Sequence, residues 1–76
     1  MLSGVMDKER TGQLITELRK EKGLTQRELE ELSGVKQPII ARMESGSTTP
    51  NLSTILKVLA PLGKTLYIGD LKGEKV

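Results

Sequence analysis

The stretch from Thr25 to Met43 leaves this chain few ways to fold. Thr25-Gln26-Arg27-Glu28 fits a capping box. In that arrangement the Thr hydroxyl takes the amide three residues on, and the Glu reaches back to the cap amide. A helix is therefore expected to open at Thr25, with Leu29 and Leu32 as its buried side. Gly34 ends it after Ser33, because a helix stops most easily where glycine can take a positive φ. Only Val35-Lys36 follow before a second helix is expected from Gln37. Pro38 suits its first turn, where the missing amide would have no helical partner. Ile40 and Met43, three apart, should face inward, and Val35 should plug the gap between the two helices. The pattern predicts two short helices held rigidly across a tight turn, with the second projecting one face outward.

The flanks supply the rest of a small helical domain. A first helix is expected from Asp7 or Lys8 to Lys22, with Leu14 and Leu18 as its apolar stripe and Gly23 closing it. Ser45-Gly46-Ser47-Thr48-Thr49-Pro50 reads as a loop. Asn51 caps a fourth helix whose stripe is Leu52, Ile55, Leu56 and Leu59. Pro61 should distort its last turn, and Gly63 closes it. Leu14, Leu18, Leu24, Leu52, Ile55 and Leu59 are the expected core. Lys64 to Ile68 alternates in the manner of a strand. A single strand needs a partner for its amides and carbonyls, and the same strand of a second copy is the expected one. The fold expected is all-α: a helix-turn-helix domain of four helices over residues 7–63, followed by a short dimerising β-strand at 64–69. Residues 1–6 and 70–76 read as flexible tails.

At 76 residues the chain holds one domain. A core of this size supplies only about 3–5 kcal/mol, so dimerisation is expected on stability grounds too. The chain has no Cys and no His. That leaves no disulfide framework, no thiolate metal site and no His-dependent catalytic group. There is no glycine-rich phosphate loop, so no enzyme, cofactor or metal is expected. No apolar run reaches the length of a membrane span, and the start is too short and polar-flanked for a signal peptide, so a cytoplasmic protein without membrane association is expected. Net charge is only +2, but it is unevenly placed. Residues 35–64 carry Lys36, Arg42, Lys57 and Lys64 against Glu44 alone, whereas residues 23–34 carry Arg27 against Glu28, Glu30 and Glu31.

Gly23-Leu24-Thr25-Gln26-Arg27-Glu28-Leu29, followed by Gly34-Val35-Lys36-Gln37-Pro38-Ile39-Ile40-Ala41-Arg42-Met43-Glu44-Ser45-Gly46, resembles the phage repressor and Cro family of helix-turn-helix proteins, over about residues 10–62. The stretch Gln37 to Gly46, with Leu59-Ala60-Pro61-Leu62-Gly63-Lys64-Thr65-Leu66, is similar to its HigA-like antitoxin branch. The resemblance implies a transcriptional repressor bound as a homodimer to a palindromic double-stranded DNA operator. Its antitoxin branch adds an RNA-cleaving toxin as partner; the alternative is a stand-alone phage-type regulator without one. The resemblance also suggests that Glu44 ties the third helix to the first through Arg19. One position departs from the family: where Ala usually follows the Leu at position 29, this chain has Glu30. A buried carboxylate needs a partner, so Glu30 is expected either to lean outward or to find a cation, with Arg42 and Arg19 the nearest candidates.

In such domains the first residues of the second motif helix contact bases. Gln37 can donate and accept at once, which matches adenine N6 and N7, and Arg42 can address guanine or a phosphate. For Arg42 the competing role is an ion pair with Glu44 or Glu30. Pro38 and Ile39 offer apolar surface to thymine methyls, Ile39 otherwise being core overflow. Gln26, Lys36, Ser45, Ser47 and Thr48 are the expected phosphate contacts. Thr65, Leu66, Tyr67 and Ile68 are the expected dimer interface.

Overall fold

The computed structural model describes residues 7–66. Its elements follow the local capping chemistry. Helix α1 (Lys8–Glu21) opens on Asp7, whose carboxylate accepts from the Arg10 amide at 2.7 Å. Helix α2 (Gln26–Ser33) opens on Thr25 with both halves of the capping box formed, and stops at Gly34, where φ is 79°. Helix α3 (Gln37–Ser45) carries Pro38 in its first turn, and helix α4 (Leu52–Leu59) opens on Asn51, which accepts from the Thr54 amide at 2.9 Å. Past Leu59 the chain tightens into a 3-10 turn over Ala60–Leu62. Pro61 has no amide to continue the α pattern there.

The core is Ile15, Leu29, Val35, Ile40, Met43, Val58, Leu59 and Leu62, with Leu18, Leu24, Ile55 and Leu66 packed around it. Val35 does plug the turn, being 6% exposed. Several expected core positions are corrected. Leu14 is 51% exposed because α1 presents the next residue, Ile15, to the core, which swings Leu14 to the flank. Leu32 is 60% exposed, since α2 turns Gln26, Leu29, Glu30 and Ser33 inward. In α4 the inward line is Ile55, Val58 and Leu59, continued by Leu62. Leu52 and Leu56 fall to its edge and are exposed.

The packing of α1 on α3 hinges on Gly12, which is buried in mid-helix. A Cβ there would stand 2.7 Å from the Glu44 carbonyl oxygen and closer still to that of Met43. At the other end of the contact Gly46 lies against Glu9, whose Cα would be 3.2 Å from an added Cβ. The two backbones thus meet with no side chain between them.

Of the expected strand, Lys64, Thr65 and Leu66 have no regular secondary structure; Leu66 is half-buried against the core, and Tyr67 and Ile68 lie outside the described residues. A strand whose partner is a second copy can pair only in a dimer. The two tails expected at 1–6 and 70–76 likewise lie outside. Among the described residues no helix is long and apolar enough to cross a membrane.

Gly12→Ala separates this packing from ordinary helix propensity. On an open helix face the change would stabilise by about 0.5–1 kcal/mol. Here it is expected to destabilise by about 2 kcal/mol, because the obstruction is backbone. A denaturation midpoint that rose or held would show that α1 is not seated on α3.

Candidate nucleic-acid interface

Two faces of α3 differ sharply. Ile40 and Met43 are 0% and 1% exposed, and Glu44 on the same side is half-buried. Gln37, Pro38, Ile39 and Arg42 are all exposed. Pro38 and Arg42, one turn apart, stand in the middle of the outer face, with Gln37 and Ile39 flanking it. Among the described residues no other element covers this side. The four expected base-contacting residues are therefore brought together on one solvent-facing surface, and Lys36 lies exposed at its entry.

The Glu44 carboxylate is kept off that surface by what happens on the inner side. Glu44 turns away from solvent and accepts from Arg19 Nε at 2.7 Å and Arg19 Nη2 at 2.9 Å, a two-pronged pair. Gln26 Nε2 donates to the same carboxylate at 2.9 Å, and Arg19 Nη1 donates to the Leu24 carbonyl at 2.8 Å. The expected Arg19–Glu44 tie is thus present, and it also reaches α2. Burial pushes the Glu44 carboxyl up, but the hydrogen bonds from Arg19 and Gln26 outweigh it and hold the group below its ordinary range. Its hydrogen bond to Glu44 raises Arg19 correspondingly, against the opposing effect of burial. Among the described residues Arg42 has no carboxylate partner, so neither ion pair weighed for it forms.

Glu30 does find a cation, but it is Lys36 and neither Arg42 nor Arg19. Its Oε1 accepts from the Gln37 amide at 3.0 Å, and its Oε2 lies 4.0 Å from Lys36 Nζ. Arg42 and Arg19 are not its partners, because the backbone donor at the start of α3 lies within its reach and Arg19 is committed to Glu44. The Lys36 contact is at the outer limit of an ion pair between exposed groups and leaves the ammonium accessible.

The other expected phosphate contacts are placed unequally. Gln26 has its amide drawn into the Glu44 cluster. Ser45 and Ser47 share one short network: both lie within hydrogen-bond distance of the Arg42 carbonyl, and their hydroxyls are 2.9 Å apart. Each hydroxyl has one proton, so both can be satisfied at the C-terminus of α3. Thr48 is half-buried, and Thr65 is exposed. Sequence reasoning missed the capping role of Glu30. The signal available was Lys36, a residue with no oxygen to cap the helix it precedes.

Two helices across a glycine turn, one locked by its apolar side and open on the other, define a helix-turn-helix domain. The helix-turn-helix family matches residues 15–68, and the chain belongs to it. Over 60 residues it is 60% identical to an uncharacterized HTH-type transcriptional regulator of Haemophilus influenzae, a match that covers 79% of this chain and 60% of that protein. It is 36% identical over 55 residues to the HTH-type transcriptional regulator PuuR of Escherichia coli, covering 72% of this chain and 30% of that protein. The chain therefore spans 60% or less of the length of these relatives. Among solved structures it is similar to a toxin-antitoxin module from Streptococcus pneumoniae, with a TM-score of 0.68 and 55% identity, covering 79% of this chain and 71% of that one.

The Glu44 cluster makes a pH prediction. A carboxyl with a depressed folded pKa adds stability above the ordinary glutamate value near ~4.3, and loses it as pH falls through the folded value. Glu44→Gln is expected to cost on the order of 3 kcal/mol at pH 7, because Arg19 loses its charged partner. Denaturant unfolding of the variant should then fall less steeply than the parent below about pH 5. Parallel acid limbs would show that Glu44 is not the titrating group.

Proposed function

We propose that the chain is a sequence-specific double-stranded DNA-binding repressor that docks α3 in the major groove. The observation that carries this reading is the pairing of a locked inner face, Ile40 and Met43, with an open outer face of Gln37, Pro38, Ile39 and Arg42. A rigid helix can place a few side chains against base edges reproducibly. Gln37 addresses adenine, Arg42 guanine or a phosphate, and Pro38 and Ile39 meet thymine methyls. Lys36, Thr48 and the N-terminal amides of α2 near Gln26 face the phosphates. Ser45 and Ser47 can join them only by exchanging their bonds to the Arg42 carbonyl. The protein acts in the cytoplasm as a homodimer joined through Thr65 to Ile68. Two copies of α3 then lie about one helical turn apart, ~34 Å, on a palindromic operator.

Its role as an antitoxin is the second part of the proposal. The likeness to the Streptococcus pneumoniae toxin-antitoxin module favours it. In that setting the chain represses its own operon and also binds an RNA-cleaving toxin. The alternative is a stand-alone regulator of the phage type. Co-expression with the product of the adjacent reading frame decides between them: a stable co-purifying complex that blocks RNA cleavage supports the antitoxin, and independent elution of the two proteins refutes it.

Mobility shift with the upstream region of its own gene tests DNA reading. Gln37→Ala and Arg42→Ala should each lower affinity for the specific site by about 1–3 kcal/mol. A double variant that binds like the parent would defeat the assignment. Truncation after Gly63 should give a monomer in sedimentation, and a persisting dimer would refute the strand interface.

A further inference from the structure

Helix α3 opens with an unusual shortage of capping groups. Lys36, its N-cap residue, makes no side-chain cap. The first-turn amides of a helix have no partner within the α-helical pattern itself. Pro38 has no N–H. The Ile39 and Ile40 amides both donate to the Lys36 carbonyl, at 2.9 and 3.1 Å. Glu30 takes the Gln37 amide from across the turn at 3.0 Å. Two residues earlier in the turn, Ser33 Oγ accepts from the Val35 amide at 3.1 Å. Two side chains of α2 thus bond the amides on either side of Lys36 and fix the entry into α3.

We infer that Glu30 is a positioning residue for DNA reading: by holding the Gln37 amide it sets the first residue of the outer face, and its charge counts against unspecific attraction to phosphate. This rests on the proposal that Gln37 reads a base. Three features of the arrangement favour it. The carboxylate sits at the positive end of α3, where a negative group is stabilised. It occupies the amide that a DNA phosphate would otherwise take at a helix start. Contact with DNA at this end of α3 then falls to side chains, which carry sequence information, and less to the backbone, which does not.

The inference makes opposite demands on two substitutions. Glu30→Ala removes both the acceptor and the charge. Glu30→Gln removes the charge and keeps an oxygen that can accept from Gln37. The measurement is the ratio of affinities for two duplexes of equal length: a site recovered with the parent protein by selection from randomised DNA, and a scrambled sequence. Glu30→Ala should lower this ratio about three- to tenfold, the range expected for one hydrogen bond. Its affinity for the scrambled duplex should hold or rise. Glu30→Gln should bind both duplexes more tightly at low salt and keep the ratio within about twofold of the parent, an effect that added salt should erase. Exchange of the Gln37 amide proton should quicken in the Ala variant and stay slow in the Gln variant, a readout independent of DNA. An unchanged ratio in a folded Ala variant would overturn the inference, and so would a Gln variant that falls as far as Ala. Should the Ala variant fail to fold, the Gln variant and its amide exchange decide alone. Gln37→Ala run alongside separates the two levels. If it leaves the ratio unchanged, base reading by Gln37 fails. If it lowers the ratio and Glu30→Ala does not, the positioning role fails. The Glu30→Ala, Gln37→Ala double variant should lose no more than Gln37→Ala alone.

Discussion

Three helices meet at the carboxylate of Glu44. It is carried by α3, gripped by two nitrogens of Arg19 from α1, and joined by the amide of Gln26 from α2. The same guanidinium donates to the Leu24 carbonyl in the α1–α2 connection. The paired side chains are 12% and 7% exposed, so the interaction is little weakened by solvent. A planar guanidinium fits a carboxylate in one orientation, which an apolar contact would not demand. The network therefore adds register to a core made of aliphatic side chains that could pack in several ways. Such a core at this chain length has little stability to spare.

The glycines complement that register. Gly12 lets α1 come down on the carbonyls of Met43 and Glu44, and Gly46 lets the end of α3 pass Glu9. Close approach shortens the distance over which Arg19 must reach, so the backbone contact and the ion pair support one another. The outer side of α3 gains from both. Glu44 is turned inward, and Glu30 is engaged with the Gln37 amide at the helix start.

The exposed leucines have a different logic. Leu14 lines a shallow apolar groove with Ile15, Ile55, Leu59 and Leu66, between α1 and α4. It lies where the chain leaves the helical domain toward the expected dimer strand. Scattered apolar residues on a small domain are ordinary. This group is contiguous and ends at the segment on which the proposed second copy would pair.

Local chemistry could be read directly from the chain. The capping box at Thr25, the stops at Gly23, Gly34 and Gly63, Pro38 in a first turn and the Asn51 cap each depend on neighbours within about four residues, so the order of residues states them. The motif spacing also carried the outward face of α3 and, through family resemblance, the Arg19–Glu44 tie. Rotation of each helix about its own axis was not available in the same way. Leu14 and Ile15 are equally apolar, and which one faces inward is decided by Gly12 meeting α3. Leu32, Leu52 and Leu56 fell outside the core because α2 and α4 turn other lines inward, Leu29 with Glu30 in one and Ile55, Val58 and Leu59 in the other. Glu30 shows the limit most plainly. Its partner lies seven residues away across a turn and is a backbone amide, which no sequence pattern marks. Only the crossing of α2 and α3 brings that donor within reach, so tertiary structure alone turned a charge out of place in the family pattern into the cap of α3.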